Sequence, residues 1–201
     1  MEEAIVISWP EDFYDSIAEE IVQLNQDDFK VKSIRTEPIG PLAMLEWAIP
    51  TGFIVYLFGN FFKSFLTEAG KDAYLIAKSK LKQFIAERRE LKTRLVAANS
   101  SPNKLSKNYD QSLTISLKAR IDQKLMIIVL FSEHVTNDQA EEMLEGMFQV
   151  LMLLYEERQK QPAEGTDENY NPKELYLLAN PETRQWEILT SQQMSERYRN
   201  K

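Results

Sequence analysis

The apolar positions of the chain fall into runs with distinct periods, and these lay out the expected elements. Ala4-Ile5-Val6-Ile7 is a continuous apolar run, the pattern of a strand buried on both faces. Behind Pro10, Glu11 and Asp12, which suit a helix start, Phe13, Ile17, Ile21 and Leu24 recur at helical spacing and predict a helix over residues 11–25. Residues 29–36 (FKVKSIRT) read as a less buried strand. The opening is thus a strand–helix–strand unit, and parallel pairing within it requires a right-handed crossover. Pro38, Gly40 and Pro41 mark a loop, and residues 42–49 read as a short helix before Pro50 or as the first turns of a kinked one.

The stretch from Pro41 to Leu95 is the greasiest and then the most basic part of the chain. Pro50 suits a first helical turn and Gly70 a stop, so residues 51–69 are expected to form one amphipathic helix. On a wheel of about 100° per residue, Gly52, Tyr56, Gly59, Asn60, Lys63 and Thr67 form a narrow polar stripe. Ile54, Val55, Leu57, Phe58, Phe61, Phe62, Phe65, Leu66 and Ala69 form a wide apolar arc. Phe58, Phe61, Phe62 and Phe65 each bury about 150–250 Å², and together represent about 15–25 kcal/mol of transfer free energy as an upper bound. Three destinations are open to them: the protein's own core, a bilayer or a partner. Lys63 and Asn60 argue against a simple membrane span, since a lysine near mid-bilayer costs about 2.5–3.5 kcal/mol. Gly52 and Gly59, on one face, would let a neighbouring element come close.

A second long helix starts at Lys71 or Asp72, with Ala73, Ala77, Leu81, Phe84, Leu91 and Leu95 as its stripe. Its lysines and arginines, among them Lys78, Lys82, Arg89 and Lys92, read either as a solvated helix face or as a patch for anionic lipid, a nucleic-acid backbone or an acidic partner, lipid being the best of the three. Residues 99–108 are a polar loop. Leu113, Ile115 and Leu117 alternate with polar residues, and Leu125–Phe131 is fully apolar, so the two predict a hairpin turning at Ile121–Lys124. Ala140, Met143, Leu144, Met147, Phe148, Leu151, Leu154 and Tyr155 define the buried face of a helix over residues 138–159, opened by a capping-box pair, Thr136 and Gln139. Residues 174–179 and 185–189 read as strands around the turn Asn180–Arg184. The tail from Ser191 reads as a helix with Thr190 and Gln193 at capping-box spacing.

The expected fold is therefore α+β: a mixed β-sheet of about four to six strands packed by long helices. Residues 1–160 form the core domain, 161–173 a linker, and 174–201 a hairpin and tail belonging to the same domain. A chain of 201 residues is long enough for one sizeable core. The net charge of −7 argues against nucleic-acid binding. There is no cysteine, which excludes disulfides and thiol chemistry and agrees with a reducing, cytoplasmic setting, peripheral to a membrane if the aromatic helix meets lipid. The acidic start Met1-Glu2-Glu3 carries no secretory pattern.

Catalytic signatures are missing: the six glycines make no phosphate loop, and one histidine without cysteine gives no zinc set, so no metal or cofactor is expected. The remaining candidate is His134 with Glu133, placed after the most apolar strand, with Asp12 in the corresponding place after the first. Such a group also serves simply to start a helix. The sequence thus points to a non-catalytic interaction module. Its partner is a protein, a second copy of the chain or an anionic membrane surface, met through Phe58, Phe61, Phe62, Phe65, Lys78, Lys82, Arg89 and Lys92. The alternatives are a small hydrolase-like or nucleotide-acting enzyme built on His134, and a structural subunit of a larger assembly.

Overall fold

The computed structural model describes residues 3–10, 16–25, 29–36, 53–89, 115–131, 137–160, 173–180 and 182–199. In chain order the elements are β1 (Ile5–Pro10), α1 (Ser16–Val22), β2 (Val31–Thr36), β3 (Phe53–Leu57), α2 (Gly59–Phe65), α3 (Glu68–Arg89), β4 (Ile115–Arg120), β5 (Leu125–Leu130), α4 (Asn137–Gln159), β6 (Lys173–Asn180), β7 (Gln185–Thr190) and α5 (Ser191–Arg199). The strands form one mixed sheet in the order β2-β1-β3-β4-β5-β6-β7. The pairs β1–β2, β3–β4 and β5–β6 are parallel. The pairs β1–β3, β4–β5 and β6–β7 are antiparallel. The sheet is thus assembled from strand–helix–strand units, the first as expected, and the C-terminal hairpin continues the same sheet through β5–β6.

The α+β architecture holds, with seven strands. The added strand is β3, and it corrects the reading of residues 51–69 as one helix. Phe53, Val55 and Leu57 are buried while Ile54 and Tyr56 are half-buried, a period of two rather than 3.6. Both patterns fit a run as apolar as FIVYLF; the ladders that β3 makes with β1 and β4 on its two sides decide for the strand. Phe58, in extended conformation, then opens the seven-residue helix α2.

Gly70 also differs from its expected role. It lies in the first turn of α3, where its N–H donates to Thr67 Oγ1 at 3.2 Å. A Cβ there would stand 2.7 Å from Ser64 O and 2.8 Å from Thr67 Oγ1, so the glycine permits α2 and α3 to meet tightly. Gly59 plays no such part, because a Cβ there would meet its nearest neighbours at 3.8 Å.

Helices α1 to α4 cover one face of the sheet, with α3 packed between α1 and α4. Across that face the register sets Ile7, Val55, Leu117, Val129 and Leu177 side by side in one fully buried aliphatic row. The predicted faces of α3 and α4 supply the opposing layer, with Ala77, Leu81, Phe84, Met147, Phe148 and Leu151 all buried. Among the described residues the outer face carries only α5, which lies over β6 and β7, buries Met194 and joins Arg197 to Glu187 at 2.8 Å. The Thr190–Gln193 capping box forms reciprocally, at 2.8 and 3.3 Å.

Candidate functional site

The aromatic residues meet one another inside the protein. Phe61 and Phe62 are fully buried. The Phe61 ring lies 4.9 Å from that of Tyr74, 6.1 Å from Phe148 and 6.2 Å from Phe29, joining α2 to α3, α4 and the segment before β2. Phe62 stacks on Tyr155 at 5.3 Å, and the half-buried Phe65 packs on Tyr74 at 4.9 Å. Phe58 is half-buried. Of the three destinations open to these rings, Phe61 and Phe62 occupy the core. Among the described residues no helix is long and apolar enough to cross a membrane.

Three lysines of α3 turn to acids on its neighbours. Lys78 Nζ donates to Glu145 Oε1 of α4 at 2.5 Å, and Lys82 Nζ lies 3.4 Å from Glu145 Oε2 and 3.7 Å from Glu141. Lys80 pairs with Glu20 of α1. The hydrogen bond from Lys78, aided by Lys82, holds the Glu145 carboxyl below its ordinary range against the effect of partial burial. Burial, with the Glu145 charge, pushes the Tyr74 hydroxyl up to about 12. These lysines therefore clip the helix layer together, which sequence reading missed because the acids lie 60 to 67 positions away. The side chain of Arg89 and the whole of Lys92 fall outside the described residues, as do His134, Glu133 and Asp12. No group of acidic or histidine side chains suited to a metal occurs among the described residues.

The outer sheet face is the surface that sequence reading did not find. Register places Val6, Tyr56, Lys118, Ile128 and Tyr176 in one row across it. Val6 and Tyr176 at the ends are buried, while Tyr56, Lys118 and Ile128 between them are half-buried. The Lys118 ammonium sits 5.6 Å over the Tyr56 ring, so its charge stays near the surface on an aromatic bed. Ile54 lies beside this row, and Met126 and Leu130 extend it along β5. Ile54 and Tyr56 on β3 and Met126, Ile128 and Leu130 on β5 sit in runs apolar at every position, so no periodicity marked them as one face while β3 was read as a helix. Neither the family models, the curated proteins nor the solved structures give a match to this chain.

Proposed function

We propose that the protein is a non-catalytic interaction module that meets a partner protein through the outer face of β3, β4 and β5. The observation that carries this reading is the asymmetry of covering among the described residues: four helices on one face, and on the other a trough of Ile54, Tyr56, Met126, Ile128 and Leu130, half-buried beside a nine-residue helix. A half-covered apolar strip broken by Lys118 and rimmed by the exposed Arg120 suits a partner presenting an apolar ridge flanked by acidic side chains. The internal use of Phe61, Phe62, Lys78 and Lys82 favours this face over α2 and α3, and a protein over an anionic bilayer.

A photo-crosslinking residue at position 128 tests the reading in cells. A discrete protein adduct is expected there, lost on Lys118→Glu while the far-ultraviolet circular dichroism is unchanged, and not obtained from Leu75 on the exposed side of α3. Equal labelling from both positions would overturn it, as would co-sedimentation with anionic liposomes that Lys118→Glu abolishes.

A further inference from the structure

The two edges of the sheet are finished differently. Edge strands expose a row of unpaired backbone N–H and C=O groups, and proteins blunt them with lysine, proline or bulges. On β2, Lys32 and Arg35 stand among small or β-branched residues, and Arg35 is held over the Trp9 ring at 4.0 Å and to Glu19. On β7, Gln-Trp-Glu-Ile-Leu-Thr contains no lysine, arginine or proline. Its single charge, Glu187, is already taken up by Asn180 Nδ2 at 2.6 Å and Arg197 at 2.8 Å. Among the described residues β7 pairs with β6 alone.

The buried aliphatic row of the core face runs off this edge. From Leu177 it passes to Ile188 on β7, whose side chain is 44% exposed. At the other end the same row stops on Ser33 of β2. The β7 strand is also rigidly placed. Trp186 Nε1 donates to Met143 O of α4 at 2.8 Å, and a Cβ placed on Gly146 would meet the indole at 3.7 Å. Asn180 Oδ1 accepts from the N–H groups of Glu182 and Thr183 at 3.0 and 3.2 Å, which fixes the turn before it. Helix α4 lies on one side of the strand and α5 on the other, and among the described residues no further strand lies beyond its edge.

We propose that the protein dimerises by pairing β7 with β7 of a second copy, antiparallel about a two-fold axis, to make one continuous sheet. The register follows from charge. Placing Glu187 opposite its own counterpart would set like charges in register, which is destabilising. Placing Ile188 opposite Ile188 of the second copy avoids this, continues the aliphatic row across the axis, and sets Glu187 opposite Leu189 and Trp186 opposite Thr190. The contact is isologous and closes, whereas β7 against the cationic β2 of another copy would propagate without end. This inference names one partner for the interaction module and rests on that reading, but through a different surface.

Light scattering of the full chain over a wide dilution series tests it. The wild-type protein is expected at twice the 23.4 kDa chain mass, falling by half on Ile188→Lys and on Ile188→Glu, with the far-ultraviolet circular dichroism of the separated chains unchanged because Ile188 is exposed. Mixing the two variants is expected to restore the doubled mass through a Lys–Glu pair at the axis, and Ile34→Lys on β2 is expected to leave the dimer intact. A wild-type monomer at every concentration, a dimer that survives Ile188→Lys, or a mixture that stays monomeric would each overturn the proposal. None of these results alters the adduct expected at position 128, so failure of the dimer and failure of the outer-face reading are separable.

Discussion

On the helix-covered face, Ile7, Val55, Leu117, Val129 and Leu177 stand in one row without solvent exposure, and α2 seals it with Phe61 and Phe62. On the outer face the same strands present Tyr56, Lys118 and Ile128, each partly open. The difference is one of what lies opposite. A side chain with apolar atoms on every side contributes its full transfer free energy and leaves a cavity when removed, while one facing half to water contributes a fraction and leaves none. The first face therefore contributes most to stability, and the second contributes less.

The strongest test of that contrast is a paired truncation. Phe61→Ala is expected to cost about 3–5 kcal/mol, and Ile128→Ala about 1 kcal/mol, in urea unfolding monitored by circular dichroism. Comparable costs would erase the distinction between the faces. Next in size, Gly70→Ala forces a Cβ onto backbone at the α2–α3 joint and is expected to cost about 1–3 kcal/mol, whereas Gly59→Ala is nearly neutral.

The ion pairs of the helix layer give a smaller, pH-dependent signal. Because the Glu145 carboxyl is held low by Lys78, its contribution is present above the ordinary carboxylate value and lost as pH falls through the lowered one. Exposed pairs of this kind contribute about 0.2–1 kcal/mol, so Glu145→Gln is expected to flatten the acid limb of a stability–pH profile by that amount. Tyr74 works in the opposite sense. Its raised value favours the folded state below about pH 10 and ceases to as pH climbs to about 12, and Tyr74→Phe is expected to remove that alkaline loss. The smallest expected effect is a gain. Arg184 has a φ of 57° at the end of the β6–β7 turn, and Arg184→Gly is expected to raise the melting midpoint by less than about 1 kcal/mol equivalent.

Much of the fold was legible because local pattern and tertiary environment agree. Helix α4 kept its predicted stripe from Ala140 to Tyr155, the strands β4 and β5 their alternating and continuous runs, and the Thr190–Gln193 cap its reciprocal bonds. Residues 53–57 were not legible, since a run apolar at every position satisfies both periods and only pairing with β1 and β4, distant in sequence, selects the strand. Gly70 misled for a related reason: a glycine between two helices serves equally as a stop or as a close-approach point inside the next helix. The surface was harder still to read. Lys78 and Lys82 look like a patch until Glu145 is placed beside them, and the outer trough exists only once β3 is known to be a strand.

The two described tryptophans sit near opposite ends of the sheet. Trp9 is wholly enclosed on β1, beneath the Arg35 guanidinium, and among the described residues its indole N–H finds no acceptor. Trp186, on β7, is only partly covered and donates to a helix carbonyl. With Trp47 replaced, single-indole variants give fluorescence from each end separately. Coincident emission changes during denaturation would mark the ends as one cooperative body, and staggered ones would reveal which end loosens first.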